Sequence, residues 1–178
     1  MADQRTFAEA AMTLDEFWTL IEQTKDASAD IDERTEVLRA KLSRLSTEDV
    51  AAFDRRFTET LDRAYSHDLW GAAYIIQGGC SDDAFWDFRS VLISMGKDAF
   101  ERAIRDPDSL ASLSAEDLDE LYAEGFQYVA GSIYEERTGV LLERSHPHPP
   151  KPVGEKRSDD PDELRKRWPK LFAKHWEE

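Results

Sequence analysis

Residues 69–95 leave little choice of fold. Leu69-Trp70-Gly71-Ala72-Ala73-Tyr74-Ile75-Ile76 shows no polar face at a helical period. After Ser81, the residues Ala84, Phe85, Trp86, Phe88, Val91, Leu92, Ile93 and Met95 again cover most of a helix's circumference. A helix that is apolar all round is buried on every side. Gly78-Gly79 lies between the two stretches and supplies the positive φ that ends a helix. The spacing therefore predicts a buried helical hairpin at the centre, with the remaining helices wrapped around it.

Those other helices are marked by their starts. Thr13-Leu14-Asp15-Glu16 is a capping box, and Leu14, Phe17, Trp18 and Ile21 follow at i, i+3, i+4 and i+7. A second helix is expected from near Asp30 to Arg44, and a third from Ser46 to about Tyr65 along Val50, Phe53, Phe57 and Leu61. A short one runs from Lys97 to Arg105 before Asp106-Pro107-Asp108 turns the chain. From Ser114 the stripe Leu118, Leu121, Tyr122, Gly125, Val129, Ser132 and Ile133 predicts one long helix to Gly139, with Gly125 and Ser132 as small contact positions. Period-two alternation is absent. The expected fold is all-α, a single-domain bundle of about seven helices.

Composition shifts after residue 142. Residues 1–142 carry 14 Lys/Arg against 30 Asp/Glu, whereas residues 143–178 carry 9 against 8. His146-Pro147-His148-Pro149-Pro150-Lys151-Pro152 cannot be regular helix and reads as an extended strap. Asp160-Pro161-Asp162-Glu163 then starts a final helical piece bearing Leu164, Trp168, Leu171, Phe172 and Trp176. The expected division is a helical body over 1–142 and a strap with a C-terminal helix over 143–178, packed on the body.

The net charge of −15 argues against a phosphate-backbone partner, which needs Lys and Arg. One cysteine excludes a disulfide framework and an all-cysteine zinc site. No apolar run approaches membrane-spanning length, and the first residues do not read as a signal peptide. A cytoplasmic location is expected, with no membrane and no nucleic-acid partner.

The run Gly78-Gly79-Cys80-Ser81-Asp82-Asp83-Ala84-Phe85-Trp86-Asp87-Phe88-Arg89, followed by Leu92-Ile93 and Gly96, is distinctive. With the early Phe17-Trp18, the later Asp106-Pro107-Asp108-Ser109-Leu110 and the closing Trp168-Pro169-Lys170-Leu171, it resembles the bacterial domain-of-unknown-function family 4240. The resemblance extends over roughly residues 14–172. Val91 departs from the family pattern, which has Trp there. The resemblance implies a small, largely helical cytoplasmic protein and no particular reaction.

The candidate ligand-binding residues gather around that run: Trp70, Cys80, Ser81, Asp82, Asp83, Trp86 and Arg89, with Trp18 as a further possible cleft wall. Asp82 and Asp83 would repel phosphate from the helix start, so a phosphate cradle is not expected. Arg89, in an apolar helix, needs a carboxylate partner, and Asp82 lies two turns away on the same face. That pair reads either as a structural ion pair or as a means of orienting a polar ligand. Cys80 reads as a structural cysteine more readily than as a nucleophile paired with His67. No histidine–carboxylate spacing supports a metal site, so neither metal nor cofactor is expected. His146 and His148 read as part of a solvated linker. Two functions remain: an interaction module, of immunity-inhibitor or regulator type, that docks a basic protein; or a small-molecule-binding protein or enzyme with a pocket at the Gly78–Asp83 turn and Arg89. The sequence specifies neither a catalytic residue nor an oligomeric state.

Overall fold

Helix α5 (Asp82–Ser94) runs through the middle of the molecule, and eight of its 13 residues are buried. The computed structural model describes residues 12–143 and 147–176. Within them lie α1 (Leu14–Lys25), α2 (Ile31–Leu42), α3 (Thr47–Arg63), α4 (His67–Gln77), α6 (Lys97–Arg105), α7 (Ala115–Glu120), α8 (Val129–Thr138), α9 (Pro161–Arg167) and α10 (Pro169–His175). Short 3-10 turns occupy Pro107–Ser112 and Phe126–Tyr128. The fold is all-α.

Apolar stripes at helical spacing make the core. Phe17 and Ile21 of α1 are buried, as are Phe53, Phe57 and Leu61 of α3 and Phe88, Val91, Leu92 and Ile93 of α5. Their rings meet edge-on or tilted: Phe17–Phe53 at 5.2 Å, Phe57–Phe126 at 6.0 Å and Trp18–Phe100 at 5.4 Å between centroids. Burying each such side chain is worth about 1.5–3 kcal/mol. Helix α4 follows Ser66, whose hydroxyl accepts the Leu69 N–H, and ends at Gly78 with φ +65°. Its Leu69, Ala72, Ala73 and Ile75 are buried, while Trp70, Tyr74 and Ile76 are half-covered.

The long helix expected over 114–139 is two. Gly125 has φ +121°, which breaks the stripe between α7 and α8. A Cβ there would meet nothing within 4 Å, so this glycine serves a turn and no close helix crossing. Tyr122, placed on the inner stripe by periodicity, is 57% exposed. The break is held by the buried Gln127. Its Oε1 accepts from Ser90 Oγ at 3.0 Å and from Gly125 N at 3.3 Å, and its Nε2 donates to Asp87 Oδ1 at 2.6 Å.

The tail lies against the body. Val153 pairs with the α3–α4 corner, donating to Tyr65 O at 3.0 Å and accepting from His67 N at 2.8 Å. Trp168, between α9 and α10, is buried with its ring over Gly71. The Asp108 carboxylate accepts from Lys170 N and Leu171 N, capping α10. Lys174 Nζ returns two bonds, to Ala111 O at 2.9 Å and Leu113 O at 2.7 Å. Residues 106–110 and 168–171, far apart in sequence, therefore form one joint.

A Cβ at Gly71 would come within 2.2 Å of the Trp168 ring. Gly71→Ala is expected to destabilise the protein by about 1–3 kcal/mol in urea unfolding, the usual cost of overpacking. In Trp168→Leu the same change should cost clearly less, because the obstructing ring is gone. Equal costs in both backgrounds would show that the contact does not matter.

Candidate functional site

The Gly78-Gly79 corner aims the start of α5 at the end of α3. Gly79 has φ +143°, and Ser81 Oγ accepts the Ala84 N–H at 3.2 Å. Asp82 and Asp83 fall in the first turn, where the helix dipole favours negative charge. Behind the corner, Trp70 Nε1 donates to Cys80 O at 3.0 Å, and its ring stacks on Phe85 at 4.9 Å.

Arg89 is 4% exposed. Its Nε donates to Phe85 O at 3.2 Å and its Nη1 to Leu61 O at 2.9 Å. The guanidinium lies 4.7 Å from the Phe85 ring, 4.8 Å from Tyr65 and 5.5 Å from Trp86, within cation–π range. The expected ion pair with Asp82 is not formed. The side chain runs back along α5 into the ring box and ends on backbone carbonyls, and the carboxylate that acts on it electrostatically is Asp62. Burial lowers its pKa to about 10, against the pull of Asp62, so it remains a cation at neutral pH.

A cleft of about 300 Å³ opens beside this cation. Helix α3 and its exit contribute Asp62 and Tyr65, α5 contributes Asp82, Asp83, Trp86 and Arg89, and the strap contributes His148 and Pro149. His148 Nδ1 lies 3.0 and 3.1 Å from the two Asp62 oxygens, and its ring meets Trp86 edge-on. A carboxylate held on one ring nitrogen orients an imidazole.

Four of the candidates thus line one cleft: Asp82, Asp83, Trp86 and Arg89. Trp70, Cys80 and Ser81 buttress it from behind. Trp18 is elsewhere, 2% exposed and packed on Phe17 and Phe100 in the core, because its stripe faces α6. Periodicity missed Asp62, Tyr65 and His148. The only hint was the proline-stiffened strap, which presents His148 to the body instead of to solvent alone. His146 lies outside the described residues.

Cys80 is half-buried. Burial pushes its thiol up to about 11, with Asp82 adding to the rise and Trp70, Arg157 and Arg89 opposing it. Cys80 and His67 share no hydrogen bond among the described residues. At neutral pH this sulfur is a protonated thiol, unsuited to attack. Burial likewise raises the Asp87 carboxyl, aided by Glu124 and Asp83 and opposed by the Gln127 bond. Among the described residues, no three His, Cys, Asp or Glu side chains group closely enough to hold a metal ion. No helix among them is long and apolar enough to cross a membrane.

The family model for DUF4240, described as a protein of unknown function, matches residues 12–136. The chain belongs to that family. The matched span contains the whole bundle through α8 apart from its last residues, and every cleft residue except those of the strap. The Trp168–Leu171 run, to which the resemblance was extended, falls outside it. No curated protein and no solved structure matches the chain.

The raised thiol gives a direct check. Alkylation of Cys80 by iodoacetamide should be slow at pH 7.5. It should go on accelerating about tenfold per pH unit well past the range of an ordinary thiol, since only the thiolate reacts. A rate that levels off near pH 8.5 would contradict the desolvated setting.

Proposed function

We propose that this DUF4240 protein binds a small polar ligand, with the cleft between α3, α5 and the strap as its working surface. One observation carries the reading. Asp62, Arg89 and His148 come from three distant segments, yet they meet at one concavity with an aromatic wall, Trp86. Convergent polar groups in a concave, partly apolar setting are the general mark of a ligand site. The volume stands at the small end of such sites. Among the described residues the cleft holds no nucleophile–base pair, and its groups are suited to binding.

A second reading rests on charge alone. Residues 1–142 carry a net −16, and such a field attracts a basic protein at long range. On that reading the protein is an inhibitor or regulator of a cationic partner. The two are separable, because the second requires association that weakens steeply with salt.

A thermal-shift screen of metabolite classes tests the first. A ligand present at 100 times its Kd stabilises the fold by about 2.7 kcal/mol, about 5–10 °C for a chain of this size. We expect at least one polar class to give such a shift, and Trp86→Leu or Asp83→Asn to remove it. If no class does so, or if both variants respond like the wild type, the cleft is structural. In that case, salt-sensitive capture of one basic protein at low ionic strength becomes the discriminating result for the second reading.

A further inference from the structure

The cleft presents charges of both signs in a fixed order. At its inner end is Arg89, whose Nε and Nη1 are bonded to backbone carbonyls while Nη2 makes no hydrogen bond among the described residues. A guanidinium has five N–H donors in a fork suited to a carboxylate. This one is buried, forms no ion pair among the described residues, and lines an open concavity. Burying a cation without a directly paired carboxylate is costly, and the field of Asp62, the cation–π contacts and two carbonyls offset only part of that cost. The group that would complete it is a small anion entering from the cleft.

The outer end has the opposite sign. Asp82 and Asp83 are exposed in the first turn of α5, at the cleft mouth. Their charge would repel a free dianion such as phosphate. It would favour a molecule that carries its own cation alongside the anion. Asp82 precedes Arg89 by two helical turns, and the guanidinium reaches back to Phe85 O. The remaining separation along the axis is about one turn, roughly 5 Å. An amine and a carboxylate on one small molecule span that gap when each makes a hydrogen bond of ordinary length.

We propose that the cleft takes a small zwitterion of the α-amino acid class. The carboxylate pairs with Arg89 Nη2, the ammonium faces Asp82 and Asp83, and the side chain lies against the Trp86 ring. The inference rests on the reading of the cleft as a ligand site and names the class of its ligand.

Isothermal titration calorimetry with free L-α-amino acids tests it. L-leucine would be compared with its two halves, 3-methylbutylamine, which lacks the carboxylate, and 4-methylpentanoate, which lacks the amine. Any other amino acid that binds would be treated the same way. We expect at least one amino acid to bind at least tenfold more tightly than either half. In Arg89→Lys the advantage over the amine should shrink, and in Asp82→Asn the advantage over the acid should shrink. A purely structural Arg89 would not produce that split. Should Arg89→Lys fail to fold, Asp82→Asn, on an exposed helix start, still gives half of the pattern. If amine or acid alone binds as tightly as the zwitterion, and does so through Trp86, the zwitterion is wrong and the cleft reading stands. If none of the three probe types binds and the metabolite screen is also silent, both fall.

Discussion

Helix ends, as well as the apolar helix faces, tie this protein's elements to one another. Each α-helix leaves four N–H and four C=O groups without internal partners, and a fold made of many short helices has many such ends. Charged side chains from other elements meet them. Glu22 of α1 accepts the Lys97 N–H at the start of α6 at 2.8 Å. Arg137 of α8 donates to Ser43 O and Leu45 O just past α2, at 2.8 and 2.9 Å. In the α1–α2 loop, the buried Arg34 of α2 donates in a similar way to Ser28 O and Ala29 O. Asp108 and Lys174 do the same between the Pro107–Ser112 turn and α10. Arg89 on Leu61 O belongs to this set, a cation at the negative end of α3. What separates it from the others is that it borders a cleft with an amino group unbonded.

The same physics accounts for part of the acidity. Acidic residues occupy the first turn of α1 through α7 and of α9. Each interacts favourably with the positive end of its helix, typically by 0.3–1 kcal/mol where exposed, on the order of the measured surface values. Many short helices require many such positions, so a strongly negative chain is one consequence of the architecture. Charge alone is therefore weaker support for a basic partner than its magnitude suggests. Asp82 and Asp83 share this origin, but only they, among the first-turn acids, also border the Arg89 cleft.

The fold was legible where local chemistry decides it. Thr13, Ser46, Ser81 and Asp160 start helices as their side chains predict, each accepting a backbone N–H. The stripes of α1 and α3 face inward as their spacing requires. Periodicity and structure part at a glycine: residues 118–133 satisfy a helical stripe, yet Gly125 at positive φ divides it. An isolated glycine inside such a pattern already costs about 1 kcal/mol relative to alanine. The Arg89 partner differs from its sequence expectation for a related reason. Spacing along one helix suggested Asp82, whereas the guanidinium reached sideways to α3, and no pattern within α5 encodes that. Asp62 and His148 are 86 residues apart, and their meeting depends on how the strap is anchored.

That anchoring links the tail to the cleft. The strap carries His148 at one end and Val153 near the other, and Val153 is bonded to both sides of the α3–α4 corner. Beyond it, Arg167 pairs with Asp68 and donates to Glu155 O at 2.8 Å, and Trp168 fills the space over Gly71. The +1 segment is thus held on the −16 body partly by ion pairing. Two consequences follow from this arrangement. The body's field at that face is already partly neutralised by its own tail, which reduces what remains to steer a cationic partner there. And Trp168 over Gly71, Val153 at the α3–α4 corner and His148 on Asp62 lie along one stretch of chain, so the tail's seat on α4 and the cleft are joined through the strap.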